Sequence, residues 1–140
     1  MKIFLDANIL VAVLNKEYPA FSYCARILAL ADSSRYRVYT SPLCLAIAFY
    51  FAEKKSGTFM ALKKISIVTG KLLIAGMGAT GVKQTIANKK INDFEDGLEY
   101  YSALHAGCKS MITFDTNDFY FSEIEVLTPE MFFEKYMMDK

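Results

Sequence analysis

A chain of 140 residues, 54% hydrophobic and 14% aromatic, is long enough for one domain with one good core, expected over residues 1–140, and too apolar to be disordered. A net charge of +1 excludes a generally basic nucleic-acid binder, so contact with nucleic acid has to come from a local patch or through metal ions. Cys24, Cys44 and Cys108 are odd in number and far apart. They read as reduced, buried thiols of a cytoplasmic protein, not as a disulfide frame or zinc site. The opening MKIFLDAN carries an acid at its sixth position and does not read as a signal peptide. The longest apolar run, Leu43 to Ala52, falls short of the ~20 residues that cross a bilayer. It is expected to form a buried helix, and no membrane contact is expected.

In chain order, Lys2–Leu5 reads as a short buried strand ending at Asp6. Asn8 is expected to cap a helix over Ile9–Leu14. After Tyr18-Pro19, residues Phe21–Ala31 have helical spacing, with Cys24, Ile27, Leu28 and Ala31 on one face. Tyr36–Thr40 is β-rich. Ser41-Pro42 then opens a helix to about Lys55, because serine caps and proline fits the first helical position. Gly57 stops that helix, and Thr58 caps the next, Phe59 to about Thr69. Leu72–Ala75 is a short strand. Gly76, Gly78 and Gly81 mark a loose connection before a helix from Val82 to about Asn88. Asn92 or Asp93 caps a further helix, whose first turn holds Glu95 and Asp96 and which ends at Gly107. Ser110–Phe114 is a strand ending in Asp115, with Asp118-Phe119 in the loop beyond. Val126-Leu127 is a last strand, and Pro129 starts a final helix. Strands separated by helices predict an α/β fold, with a mostly parallel sheet covered on both faces.

Asp6 and Asp115 each follow a short apolar strand, and ligand sites of open parallel sheets lie at the carboxyl ends of strands. Asp96, in the first turn of a helix, and Asp118, in the loop after the fourth strand, can reach the same rim. Each has a simpler reading as well. Asp6 can bind the turn that follows it, Asp96 can stabilise its helix N-terminus, Asp115 can form an Asx turn, and Asp118 can be a solvated loop acid. Their joint placement favours a site. Two such charges about 4 Å apart repel by roughly 4 kcal/mol at an effective dielectric near 20, so the carboxylates either stay apart and solvated or are held together by a cation. Mg²⁺ and Mn²⁺ suit oxygen ligands, keep several waters and polarise phosphoryl oxygens. Glu95 and Glu99, about one turn apart, are expected to face solvent. His105 reads as a core or surface histidine. Tyr100 and Tyr101 are expected to pack, with one hydroxyl near solvent. Lys54-Lys55, Lys63-Lys64 and Lys89-Lys90 read as solvated faces.

Three segments together resemble the PIN-domain proteins, metal-dependent ribonucleases that include the VapC-type toxins. Phe4-Leu5-Asp6-Ala7-Asn8-Ile9-Leu10 resembles the opening strand with its first acid. The run from Asp93 to Ala103 resembles the helix carrying a further acid, at Asp96. Ile112-Thr113-Phe114-Asp115-Thr116-Asn117-Asp118-Phe119, with Val126-Leu127-Thr128-Pro129-Glu130 after it, is similar to the closing strand, acidic loop and final helix. The resemblance implies a three-layer α/β/α sandwich and a Mg²⁺- or Mn²⁺-dependent endoribonuclease acting on RNA. It further implies a small antitoxin as partner and a homodimer. Carried over by position, Asp6, Asp96 and Asp118 are metal ligands and Asp115 is a further catalytic acid. Asn8 and Thr113 become supporting or substrate-orienting groups. One departure stands out. The family commonly has a second acid, usually Glu, in the helix after the second strand, and here that position falls near Ile47. Glu53 lies six residues further on, roughly 240° round the helix, and points elsewhere. The departure keeps an alternative open, a PIN-like module that binds RNA or protein without cutting. A phosphatase is disfavoured, because no Asp-x-Asp pair follows the first strand and no Gly-rich phosphate loop is present.

Overall fold

The structure is a computed structural model and describes residues 1–138. Five strands form one all-parallel sheet in the order β3-β2-β1-β4-β5. They are β1 (Lys2–Leu5), β2 (Arg37–Thr40), β3 (Leu73–Ile74), β4 (Ser110–Ile112) and β5 (Glu125–Leu127). Six helices flank it: α1 (Ala7–Leu14), α2 (Ala20–Leu28), α3 (Pro42–Thr69), α4 (Ala79–Ala87), α5 (Phe94–His105) and α6 (Pro129–Phe132). The architecture is the expected three-layer α/β/α sandwich. Ile3, Phe4 and Leu5 of β1 and Met111 and Ile112 of β4 have no exposed surface. An unbroken apolar run, without alternation, is the mark of a strand covered on both faces. α1 packs against α2 and α3, and α4 packs against α5. Right-handed crossovers place these two groups on opposite faces of the sheet.

Chain order runs outward from β1 to β2 and β3, then returns to the other side of β1 for β4 and β5. The strand order therefore reverses between β1 and β4. That reversal opens a crevice at the carboxyl ends of those two strands, the place where open α/β sheets bind ligands. β1 and β4 pair with Leu5 opposite Ile112, and the Asp6 amide donates to the Ile112 carbonyl at 3.0 Å. The pairing holds the residues after each strand side by side.

Several local expectations are corrected. α1 is capped by Asp6, not Asn8, and begins at Ala7. The fourth strand stops at Ile112, so Thr113 and Phe114 belong to the connection that follows. Gly81 lies within α4 and is buried, where Met77 and His105 crowd it. The stretch Leu43–Ala52 is only partly buried, since Tyr50 and Phe51 are exposed. Tyr100 and Tyr101 do pack, both buried, and the Tyr100 hydroxyl accepts from the Glu123 amide and the Tyr101 hydroxyl from Asn88 Nδ2. Gly57 does interrupt the helical run, at φ 83°, a conformation that glycine adopts readily. All three cysteines are free and buried. Among the described residues no helix is long and apolar enough to cross a membrane.

Gly97, next to Asp96, lets α5 approach its neighbours closely. A Cβ there would lie 2.5 Å from the Thr85 methyl and 3.0 Å from Ile91. Thr85 is buried and β-branched, and its hydroxyl donates to the Gly81 carbonyl, so it has little freedom to turn aside. Gly97→Ala gains ~1 kcal/mol of helix propensity but overpacks by ~1–3 kcal/mol. The expected net result is a lower urea midpoint. A raised midpoint would show that Thr85 and Ile91 give way freely.

Candidate metal centre

Asp6 is the hub of the crevice. The residue is 7% exposed. Oδ1 accepts from the Ala7 amide at 2.6 Å, and Oδ2 accepts from the Thr113 hydroxyl at 2.8 Å. The turn-binding reading of Asp6 is therefore part of the geometry, and it leaves the group facing the crevice as well. Thr113 has no exposed surface. Its hydroxyl oxygen also accepts from Asn8 Nδ2 at 3.2 Å and from the Asp115 amide at 3.0 Å. Asn8, released from capping, donates from Nδ2 to Asp115 Oδ2 at 3.2 Å, and its Oδ1 accepts from the Phe114 amide at 3.4 Å. One hydroxyl and one amide thus tie the residues after β1 to those after β4.

Thr113→Val keeps the shape and removes that junction. It leaves a buried carboxylate oxygen with one donor fewer, at a cost of about 1–3 kcal/mol. The expected readout is a lower chemical-denaturation midpoint with an unchanged far-ultraviolet dichroism spectrum. An unaltered midpoint would mean that water replaces the hydroxyl without loss.

The second wall comes from α5. Asp93 caps this helix, accepting from the Asp96 amide at 3.1 Å. Asp96 follows in the first turn, where the helix dipole favours a negative charge. Asp6, Asn8, Asp96 and Asp115 line one cleft of about 440 Å³, together with Ile47 and the exposed rings of Phe51 and Phe114. Asp118 is exposed, in the short turn Thr116–Phe119, and does not line the cleft. Its charge nevertheless acts on Asp96. Burial, then the charges of Asp93, Asp118, Asp6 and Glu95, push the Asp96 carboxyl up to about 7.

Glu99 departs from expectation. It is 3% exposed, against the solvent-facing position expected of it, whereas Glu95 does face solvent. One turn beyond Asp96, Glu99 points into the same cleft. Ligand-type atoms of Asp6, Glu99 and Cys44 all lie within 4.8 Å of one another. Glu99 Oε2 is buried with no hydrogen-bond partner. Two carboxylates have only acceptors to offer each other, so the oxygen is satisfied only by a proton or a cation. Burial first, then the Asp6 charge, hold the Glu99 carboxyl far above its ordinary value. Burial, and then Glu99 and Asp6, likewise keep the Cys44 thiol protonated. The signal in the sequence was the spacing of three from Asp96, which shares a helix face as well as the spacing of four from Glu95 does.

Ile47 lines the cleft from α3, so the residue that stands where the resemblance places an acid does face the site. Glu53 does not line it, and accepts instead from the Thr58 hydroxyl at 2.8 Å. The donor set suits a hard divalent cation. Carboxylate oxygens converge, one of them lacks a donor, and no lysine or arginine among the described residues pairs with them.

The family model described as PIN domain matches residues 2–117. Ribonuclease VapC1 of Aquifex aeolicus (strain VF5) is 29% identical over 139 residues, covering 96% of this chain and 95% of that protein. Among solved structures, VapBC-1 from nontypeable Haemophilus influenzae superposes with a TM-score of 0.69 at 16% identity, covering 93% of this chain and 99% of that one. VapBC2 from Rickettsia felis, bound to a DNA fragment from its promoter, gives 0.67 at 20% identity, over 91% and 97%. VapC20 of Mycobacterium tuberculosis, a Sarcin-Ricin loop cleaving toxin, gives 0.65 at 17% identity, over 83% and 92%. These structural likenesses carry the fold.

Proposed function

The chain belongs to the PIN-domain family, and we propose that it is a Mg²⁺- or Mn²⁺-dependent endoribonuclease, the toxin of a toxin–antitoxin pair. The observation that carries this reading is the convergence of Asp6, Asp96 and Asp115 on one cleft at the reversal of strand order. Likeness to the Aquifex aeolicus ribonuclease over nearly the whole length supports it. Asp6 and Asp96 would hold the cation from opposite walls. Asp118, outside the cleft, would act on the set from the loop through its charge on Asp96, and Asp115 would be a further acid at the rim. A divalent cation so held supplies Lewis acidity for phosphodiester hydrolysis.

The remaining roles fall to the chain itself. Thr113 fixes the Asp6 carboxylate, and Asn8 fixes both Thr113 and Asp115, so two of the acids are held in place before substrate arrives. Phe51 and Phe114 are exposed on the cleft wall and would stack unpaired bases, the usual means of gripping single-stranded RNA. Formal charge is only +1, so attraction to the RNA backbone would come chiefly through the cation.

An antitoxin would mask the cleft, and a second copy of the chain would pair with the first. Three free buried thiols support action in the reducing cytoplasm. The deciding experiment is cleavage of structured and unstructured RNAs by purified protein with Mg²⁺, with Mn²⁺ and with EDTA. Cleavage that needs the cation supports the reading. Metal binding without cleavage of any RNA would favour the alternative, a binding module of the same fold, which the apolar Ile47 motivates.

A further inference from the structure

We propose that Glu99 supplies the cation site with the carboxylate that α3 does not provide, so that α5 carries two ligands one turn apart, Asp96 and Glu99. The inference rests on the metal-dependent reading above and assigns it a residue. The cleft wall that α3 presents is apolar at Ile47. Facing it, Glu99 reaches inward from α5, 3% exposed, and its Oε2 meets no donor. A carboxylate so buried, with no basic side chain beside it, keeps its charge only where a cation displaces the proton from the oxygen. The neighbouring groups match that use. Asp6 lies within 4.8 Å, ligand atom to ligand atom, and so does Cys44. Hard Mg²⁺ and Mn²⁺ select the two carboxylates over the thiol. A residue three positions after Asp96 shares its helix face, so the set closes without any change in the backbone of α5.

The test is calorimetric titration of Mn²⁺ into the metal-free protein, with no RNA present. Glu99→Gln preserves shape and removes the charge. Affinity is expected to fall at least about tenfold, the scale on which losing a group that builds a metal site is felt. In the double variant Glu99→Gln with Ile47→Glu, an acid returned from the opposite wall is expected to recover part of the loss. A measurement on the unaltered chain does not depend on either variant folding: the ¹³C carboxyl resonance of Glu99 should move on saturation with Mg²⁺. Wild-type binding of Mn²⁺ with Glu99→Gln inside a factor of two of it overturns the inference and leaves the proposed function standing. So does a Glu99 resonance that Mg²⁺ leaves in place while the Asp6 and Asp96 resonances move. No binding of either ion by the wild type overturns both.

Discussion

Asp6→Asn is expected to lower Mn²⁺-supported RNA cleavage by about a thousandfold or more, equivalent to ~4 kcal/mol of transition-state stabilisation. The size follows from its position. Asp6 alone touches both halves of the site, by its link to Thr113 after β4 and by its proximity to Glu99 on α5. The amide oxygen can still accept from the Ala7 amide, while the Nδ2 that replaces the second oxygen cannot accept from the Thr113 hydroxyl. The shape is kept and the fold is expected to survive at a lower denaturation midpoint. The larger loss is one negative charge on the cation. Initial rates on a defined RNA, at saturating Mn²⁺ and under single-turnover conditions, check this, with dichroism as the control for folding. A variant that keeps a tenth or more of wild-type activity would mean that the reaction runs elsewhere on the molecule.

The second large effect is on stability. In EDTA, the thermal midpoint is expected to fall as pH rises from 5 to 8. Asp96 ionises near 3.8 in an unfolded chain and near 7 in the folded one, raised by burial and then by Asp93, Asp118, Asp6 and Glu95. Between those values the folded state keeps a proton that the unfolded state has lost. The stabilisation is therefore complete below about 3.8 and is lost as pH climbs through about 7. Glu99 acts with the same sign from 4.5 upward, because burial and Asp6 hold its proton on. Each proton retained only by the folded state gives a slope of at most ~1.4 kcal/mol per pH unit, and solvent screening at the half-buried Asp96 keeps its share below that limit.

Glu125 works in the opposite sense, outside this window. Burial tends to raise it, but hydrogen bonds from Lys135, Ser110 and Tyr136 draw it down to about 2, so its contribution is lost only below about 4.5. Asp96→Asn should make the fall between pH 5 and 8 shallower. Saturating Mn²⁺ should raise the midpoint most at the alkaline end, since the cation competes with protons for the same oxygens. A midpoint that is flat or rises from pH 5 to 8 in EDTA would refute this account of the carboxylates.

Much of this was written locally in the chain. Ile3-Phe4-Leu5 before Asp6 and Met111-Ile112 before Thr113 are short apolar runs, too short for a helix and suited to strands covered on both faces. Ser41-Pro42 and Asp93 mark helix starts by their own hydrogen-bonding chemistry. Those signals involve neighbours in sequence, so no tertiary knowledge was needed to read the α/β order or to suspect the acids that follow the strands. Local sequence leaves the cap of α1 open, because Asp6 and Asn8 are both good capping residues. The choice was made by Thr113 and Asp115, which draw Asn8 away across more than a hundred residues of sequence.

Asp6 at the end of β1 and Asp96 at the head of α5 were thus determined by the sequence alone, because strand ends and helix starts are properties of short segments; Asp115 was placed beyond the fourth strand, though that strand stops at Ile112 and not at Phe114. The place of Glu99 was not determined in this way. Glu99 lies four residues from exposed Glu95 and three from Asp96, so the helical repeat permits it on either side. Only the docking of α5, brought close to its neighbours at Gly97, turns that side chain inward against Asp6. The burial of one more carboxylate is a fact of packing between elements far apart in the chain.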